Sequence, residues 1–111
     1  MNLAYCIFYT NDLEMATSFY RDKIGLEVVS KDERFTTFRI GKGLLGIKVH
    51  ELDREVPGHQ TAIIEDDKID ELYKLAQEQS WGIFTPLVFE EWGKNFSILD
   101  PDGNRVEFYH L

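Results

Sequence analysis

A single cysteine, Cys6, stands in the 111 residues of this chain, so no internal disulfide can form. Set inside the apolar run Leu3–Tyr9, it reads as a small buried hydrophobe rather than a nucleophile. That run is the longest apolar stretch, and it is far too short for a bilayer, which takes about 20 residues. With no basic leader and no small-residue cleavage site beside it, no signal peptide is read, and the expected location is the cytoplasm rather than a membrane. Bases are scarce as well: 12 Lys and Arg face 20 Asp and Glu, a net charge of −8. Such a surface repels phosphate backbones, which excludes nucleic acid as an expected partner. The acids gather at Glu51–Asp53–Glu55, at Glu65–Asp66–Asp67–Asp70–Glu71 and at Glu90–Glu91. They read as solvated faces and loops, with attraction of a cationic ligand as the sharper alternative.

No Ser–His–Asp or Cys–His arrangement is legible. Gly41-Lys42-Gly43-Leu44-Leu45-Gly46 spells the dinucleotide-binding fingerprint, but that motif needs a helix after its glycines to face the pyrophosphate. Here Ile47-Lys48-Val49-His50 follows, a strand pattern, so the segment is a glycine-rich hairpin turn.

Aromatics are plentiful: eight Phe, five Tyr and two Trp, enough for one core and for the lining of a pocket. Length allows one domain. Residues 3–9 are β-prone and apolar on both faces, as in a buried strand. Asn11 or Asp12 offers a helix N-cap, with Glu14 three residues after Asn11 in capping-box spacing. Leu13, Ala16, Tyr20 and Ile24 recur at helical spacing with Phe19 beside them, and Gly25 ends the helix. Strand-like stretches follow at 26–30, 35–40 and 44–50.

After the polar stretch Asp53–Gly58 the pattern restarts. Residues 60–64 read as a strand, and Asp66 or Asp67 can cap a helix whose Ile69, Leu72, Tyr73 and Ala76 fall on one face. Three more strands are expected at 82–89, 95–99 and 105–110, the last after the turn Asp100-Pro101-Asp102-Gly103. Each half therefore runs strand, helix, strand, strand, strand over about fifty-five residues, a period that suggests internal duplication. Placing residue 5 on residue 60 superposes Ile7-Phe8 on Ala62-Ile63. One such βαβββ module cannot cover both faces of its own sheet, so two must pair, within a chain or across a dimer. The expected class is α+β: module one at about 1–52 and module two at about 58–111 form curved mixed sheets around a cleft.

Two segments make a family resemblance specific. Tyr9-Thr10-Asn11-Asp12-Leu13 through Phe19-Tyr20 to Ile24-Gly25-Leu26 is one. Trp92-Gly93 with Phe96-Ser97-Ile98-Leu99-Asp100-Pro101-Asp102-Gly103-Asn104-Arg105-Val106-Glu107-Phe108 is the other. Both resemble the vicinal oxygen chelate superfamily of glyoxalases, bleomycin-resistance proteins and extradiol dioxygenases, and the likeness spans the whole chain. The resemblance implies this fold, but the family hosts isomerases, dioxygenases, transferases and drug-sequestering binders.

Metal-using members of that family place His and Glu on the first and last strands of each module. By resemblance those positions here are Tyr5, Gln60, Glu107 and a residue near Ile47, so one expected ligand of four is present. His59 is one residue off and, in a strand, points to the opposite face; His50 lies at a strand end. No cofactor is therefore expected. The alternative is one divalent ion on Glu107 with His59 and His50.

Strand alternation puts Tyr5, Ile7 and Tyr9 on one face and Cys6 and Phe8 on the other. By pseudo-symmetry Gln60, Ala62 and Ile64 share the inner face, as do Arg105, Glu107 and Tyr109. A cleft lined by Tyr5, Tyr9, Gln60, Trp92, Glu107 and Tyr109 suits a planar or cationic organic molecule. The expectation is a homodimer that binds a small aromatic or cationic ligand without metal, similar to the bleomycin-resistance type. A metal-dependent lyase or isomerase resembling glyoxalase I is the alternative, and a ring-cleaving dioxygenase is a more distant one.

Overall fold

The computed structural model describes residues 1–111. In chain order it contains β1 (Tyr5–Thr10), α1 (Leu13–Ser18) running on into a π-helical segment (Phe19–Ile24), β2 (Glu27–Lys31), β3 (Phe35–Ile40) and β4 (Gly43–Val49). The second half repeats this order with β5 (Thr61–Glu65), α2 (Ile69–Glu78), β6 (Ile83–Glu90), β7 (Gly93–Leu99) and β8 (Arg105–His110). Two four-stranded sheets result, ordered β1-β4-β3-β2 and β5-β8-β7-β6. In each, the first and last strands of the half pair in parallel and the others antiparallel. The fold is thus α+β with two βαβββ modules, as the strand and helix periods predict.

The helix starts differ from expectation. Asp12 caps α1, its Oδ1 accepting the Met15 N–H at 3.1 Å, but Glu14 reaches out to Lys31 at 2.8 Å rather than back to close a capping box. Neither Asp66 nor Asp67 caps α2. Asp66 Oδ1 instead accepts the Lys68 N–H at 2.8 Å in the preceding turn, and α2 starts at Ile69 with no side-chain cap. Gly25 ends the first helix at φ 88, where the left-handed conformation favours glycine.

Each helix packs on its own sheet, and the covered faces merge. Phe8, Tyr20, Phe38, Leu45, Phe96, Ile98, Val106 and Phe108 belong to one continuous core that runs through both halves. Burying a large apolar side chain of this kind contributes about 1.5–3 kcal/mol. The other face of each sheet carries no helix. Strand β1 is therefore covered on one side only, and Tyr5 and Ile7 remain 45% and 37% exposed where burial on both faces is expected.

The pseudo-symmetric register is corrected by one residue. Tyr5 pairs with Leu44 and Ile7 with Gly46, while Thr61 pairs with Arg105, Ile63 with Glu107 and Glu65 with Tyr109. Residue 5 thus corresponds to residue 61, and the counterpart of Glu107 is Gly46 rather than a residue near Ile47. Ala62 and Ile64 pack into the core, so they do not share the face of Glu107. Because side chains alternate, a slip of one residue exchanges the two faces.

The halves are joined by polar side chains. Thr10 Oγ1 and Tyr20 OH donate to Asp102 and Asp100 at 2.5 and 2.8 Å, and Asn104 Nδ2 donates to the Tyr9 carbonyl at 3.0 Å. No helix is long and apolar enough to cross a membrane.

Candidate functional site

On the helix-free face of the second sheet, alternation along β8 presents Arg105, Glu107 and Tyr109. The β7 ladder sets Ser97 opposite Glu107 and Asn95 opposite Tyr109. The β6–β7 hairpin then delivers Trp92. Gly93 makes this possible: at φ 129, any Cβ there would lie 2.5 Å from the His110 carbonyl oxygen, so only glycine lets the turn approach the end of β8. Trp92 consequently packs on Tyr109 with ring centroids 6.0 Å apart. With Ile63 they line a shallow depression of about 200 Å³.

Beside it Glu107, only 7% exposed, forms an ion pair with the Arg105 guanidinium. The opposite Ser97 hydroxyl is engaged with that of Thr85 at 2.6 Å. Two donors stay unmatched: Asn95 Nδ2 and Arg105 Nε are buried without a hydrogen-bond partner.

The helix-free face of the first sheet is also aromatic. Tyr5 meets Phe35 edge-on at 6.3 Å, and the Phe35 ring lies over Gly46, where a Cβ would come within 2.6 Å of its Cζ. Lys48 Nζ stands 5.8 Å from the centre of the Tyr9 ring and binds both Glu55 oxygens at 2.7 and 2.8 Å. Those bonds, together with the Glu51 and Leu52 N–H groups, hold the Glu55 carboxyl at about 2.

The six residues read from the sequence are thus distributed over two sheets. Tyr5 and Tyr9 lie on the first, and Trp92, Glu107 and Tyr109 gather on the second. Gln60 precedes β5 and works at the junction, its Oε1 accepting the Tyr9 N–H at 3.4 Å and its Nε2 donating to the Val56 carbonyl at 3.1 Å. Ile63 and Asn95 were not singled out by the sequence. Ile63 was masked by the register slip, and Asn95 is identified only once β7 is paired with β8. A more enclosed cavity of about 280 Å³ lies on the helix side, walled largely by core residues such as Leu45, Ile64, Ile98 and Phe108. The Arg105–Glu107 pair is on the helix-free face instead, with two of the three unmatched buried donors, the third being Trp81 Nε1 in the core.

The donor set does not fit a transition-metal ion. No three His, Cys, Asp or Glu residues lie close enough together to hold one. Glu107 is committed to Arg105, and the equivalent level of the first sheet offers Ile7 and Gly46. The register shift brings His59 into phase with Thr61 and Ile63, contrary to the expectation of an opposite face, but it precedes β5 and is exposed. His50 is exposed beyond β4, and His110 Nδ1 contacts Glu65 Oε2 at 2.6 Å.

Comparison with known proteins gives a consistent answer. The model of the Glyoxalase/Bleomycin resistance protein/Dioxygenase superfamily matches residues 2–108. No curated protein sequence matches significantly. Among solved structures, the bleomycin-binding protein of bleomycin-producing Streptomyces verticillus, in complex with copper(II)-bleomycin, is 26% identical with a TM-score of 0.83, covering 100% of this chain and 97% of that one. An antibiotic-binding protein from Streptomyces sp. CB03234 is 19% identical with a TM-score of 0.87, covering 99% and 95%. Lactoylglutathione lyase from Agrobacterium tumefaciens is 24% identical with a TM-score of 0.82, covering 98% and 92%. At the identities of the last two, the likeness is one of fold.

Proposed function

Since this chain belongs to the glyoxalase/bleomycin resistance protein/dioxygenase superfamily, we propose that it is a cytoplasmic binding protein for a small planar aromatic molecule, held without a metal ion. The observation that carries this reading is the depression formed by Ile63, Trp92 and Tyr109 beside the Arg105–Glu107 pair. Rings stack favourably on such aromatic walls. Because Arg105 already compensates Glu107, aromatic character, more than positive charge, selects the ligand. The likeness to a bleomycin-binding protein supports a binder of this type.

One chain leaves the depression open, whereas a tightly held organic ligand loses most of its surface to the protein. A second copy related by a two-fold axis would set the Tyr5–Tyr9 face of one chain over the Trp92–Tyr109 face of the other. That pairing would cover Ile7 and Ile63, which are 37% and 63% exposed, and close the site. The homodimer is accordingly part of the proposal.

Calorimetric titration with a panel of planar aromatic compounds tests the reading. Trp92→Ala should weaken a bound compound about threefold to tenfold through lost stacking. Glu107→Gln should weaken a ligand that donates to the carboxylate roughly tenfold or more. Unchanged affinity in both variants would place the site elsewhere.

A further inference from the structure

Asn95 combines burial with an unmet hydrogen bond, and it stands beside the proposed site. Its side chain shares the helix-free face with Tyr109, directly across the β7–β8 ladder, and two residues along β7 from the Ser97 that faces Glu107. The residue is only 7% exposed, and its Nδ2 has no partner. The nearby Ser97 and Thr85 hydroxyls bond each other at 2.6 Å, and neither accepts from Nδ2. A buried donor left unpaired costs stability, so native folds seldom retain one that no partner ever meets.

On the other side of Glu107, Arg105 Nε is a second unmatched N–H, while the Glu107 carboxylate already receives the Arg105 guanidinium. Asn95 Nδ2 and Arg105 Nε are thus two N–H groups without an acceptor on either side of Glu107. A complementary molecule brings acceptors.

We infer that Asn95 is a specificity-determining residue whose carboxamide N–H donates to a carbonyl oxygen on the ring system bound against Trp92 and Tyr109, so that the site prefers aromatic ketones to hydrocarbons of the same shape. This rests on the proposed binding function and names the ligand chemistry for the same site. Nδ2 is sealed from solvent in the free chain, so engagement includes movement of side chains above it. Trp92, which packs on the Tyr109 that faces Asn95 across the ladder, is 49% exposed in the hairpin turn.

Xanthone and xanthene share one tricyclic skeleton and differ by a carbonyl in place of a methylene, which makes them suitable probes. Calorimetric titration of the full-length protein should give about tenfold tighter binding of xanthone. Asn95→Leu should abolish that preference by weakening xanthone alone. The same variant, free of ligand, should unfold at a higher urea concentration, because the unmet donor is gone.

Equal binding of both probes by the wild type, or a preference that survives in Asn95→Leu, would overturn the inference and leave the aromatic-binding reading standing. Lower stability of free Asn95→Leu would make the carboxamide a structural element and overturn it too. Failure of the wild type to bind either probe would count against the binding reading and this inference together.

Discussion

Tyr20, at the start of the π-helical segment, donates its hydroxyl to Asp100 Oδ2 at 2.8 Å, joining side chains 80 residues apart in the chain. The phenol is fully buried, and burial first, then the Asp100 charge, pushes it well above its ordinary pKa, so it remains a donor at every ordinary pH. Asp100 gathers three more donors from the second half: the Asp102 and Asn104 N–H groups and Asn104 Nδ2. The module junction is thus a satisfied polar cluster built around one carboxylate. Tyr20→Phe removes one donor from it and should cost about 1–3 kcal/mol. Urea denaturation should show a lower midpoint with an unchanged slope.

Glu55 makes stability depend on acid in a defined window. Its folded pKa of about 2 lies below the ordinary 4.5, the Lys48 bond being the largest cause. A depressed acid contributes stability that is fully present above pH 4.5 and is lost as pH falls towards 2. Burial pushes Asp100 the other way, upward against its hydrogen bonds, so its charge works against the fold as pH rises through its pKa. Glu55→Gln should therefore flatten the acid limb of a thermal-stability profile in the Glu55 window. An acid limb of unchanged steepness would assign that dependence to other carboxylates.

Gly93→Ala places a Cβ 2.5 Å from the His110 carbonyl oxygen, a backbone atom that cannot step aside alone. With φ at 129 the variant is strained as well, and a cost of about 1–3 kcal/mol is expected. The hairpin should retreat from β8 and take Trp92 off Tyr109. Fluorescence spectra, with the Trp81 contribution defined by a Trp92→Phe control, should show altered emission from Trp92.

Light scattering should return twice the chain mass of 13.0 kDa. Ile63→Asp, which sets a charge on the helix-free face of the edge strand β5, should return a monomer that remains folded by circular dichroism. A monomeric wild type at tens of micromolar would refute the paired-face arrangement.

Protein purified without chelators should carry well under one equivalent of zinc, nickel, iron or manganese. About one equivalent by elemental analysis, lost on Glu107→Ala, would show that a metal ion competes successfully with Arg105 for that carboxylate.

Much of the architecture is written locally. Strands β3 and β8 run over 35–40 and 105–110 as their β-prone residues predict, and Asp12 and Gly25 bound the first helical stretch. The two faces of β1 separate as the period of two requires, with Phe8 in the core and Tyr5, Ile7 and Tyr9 opposite. Helix caps were legible only as candidates. Glu14 and Asp66 each have competing partners, Lys31 and the Lys68 N–H, that short-range spacing does not reveal.

The amino-acid sequence by itself determined the βαβββ repeat, the resemblance that carries the family, and the placing of Arg105, Glu107 and Tyr109 on one face of the last strand, because periodicity and turn residues act over a few positions. Only the tertiary structure decided which residues face them. The correspondence between halves passes through the linker 53–58, which has no period, so an offset of one residue is invisible there and yet exchanges every side chain in β5 between core and cleft. Pairing across the ladders turned Ala62 and Ile64 inward, brought Ile63 beside Glu107, assigned Arg105 to that carboxylate and left Asn95 buried with an unmet donor. Those are contacts between strands, and a hydrogen-bond register that joins distant residues is set by the packing of the whole sheet rather than by any neighbour in the chain.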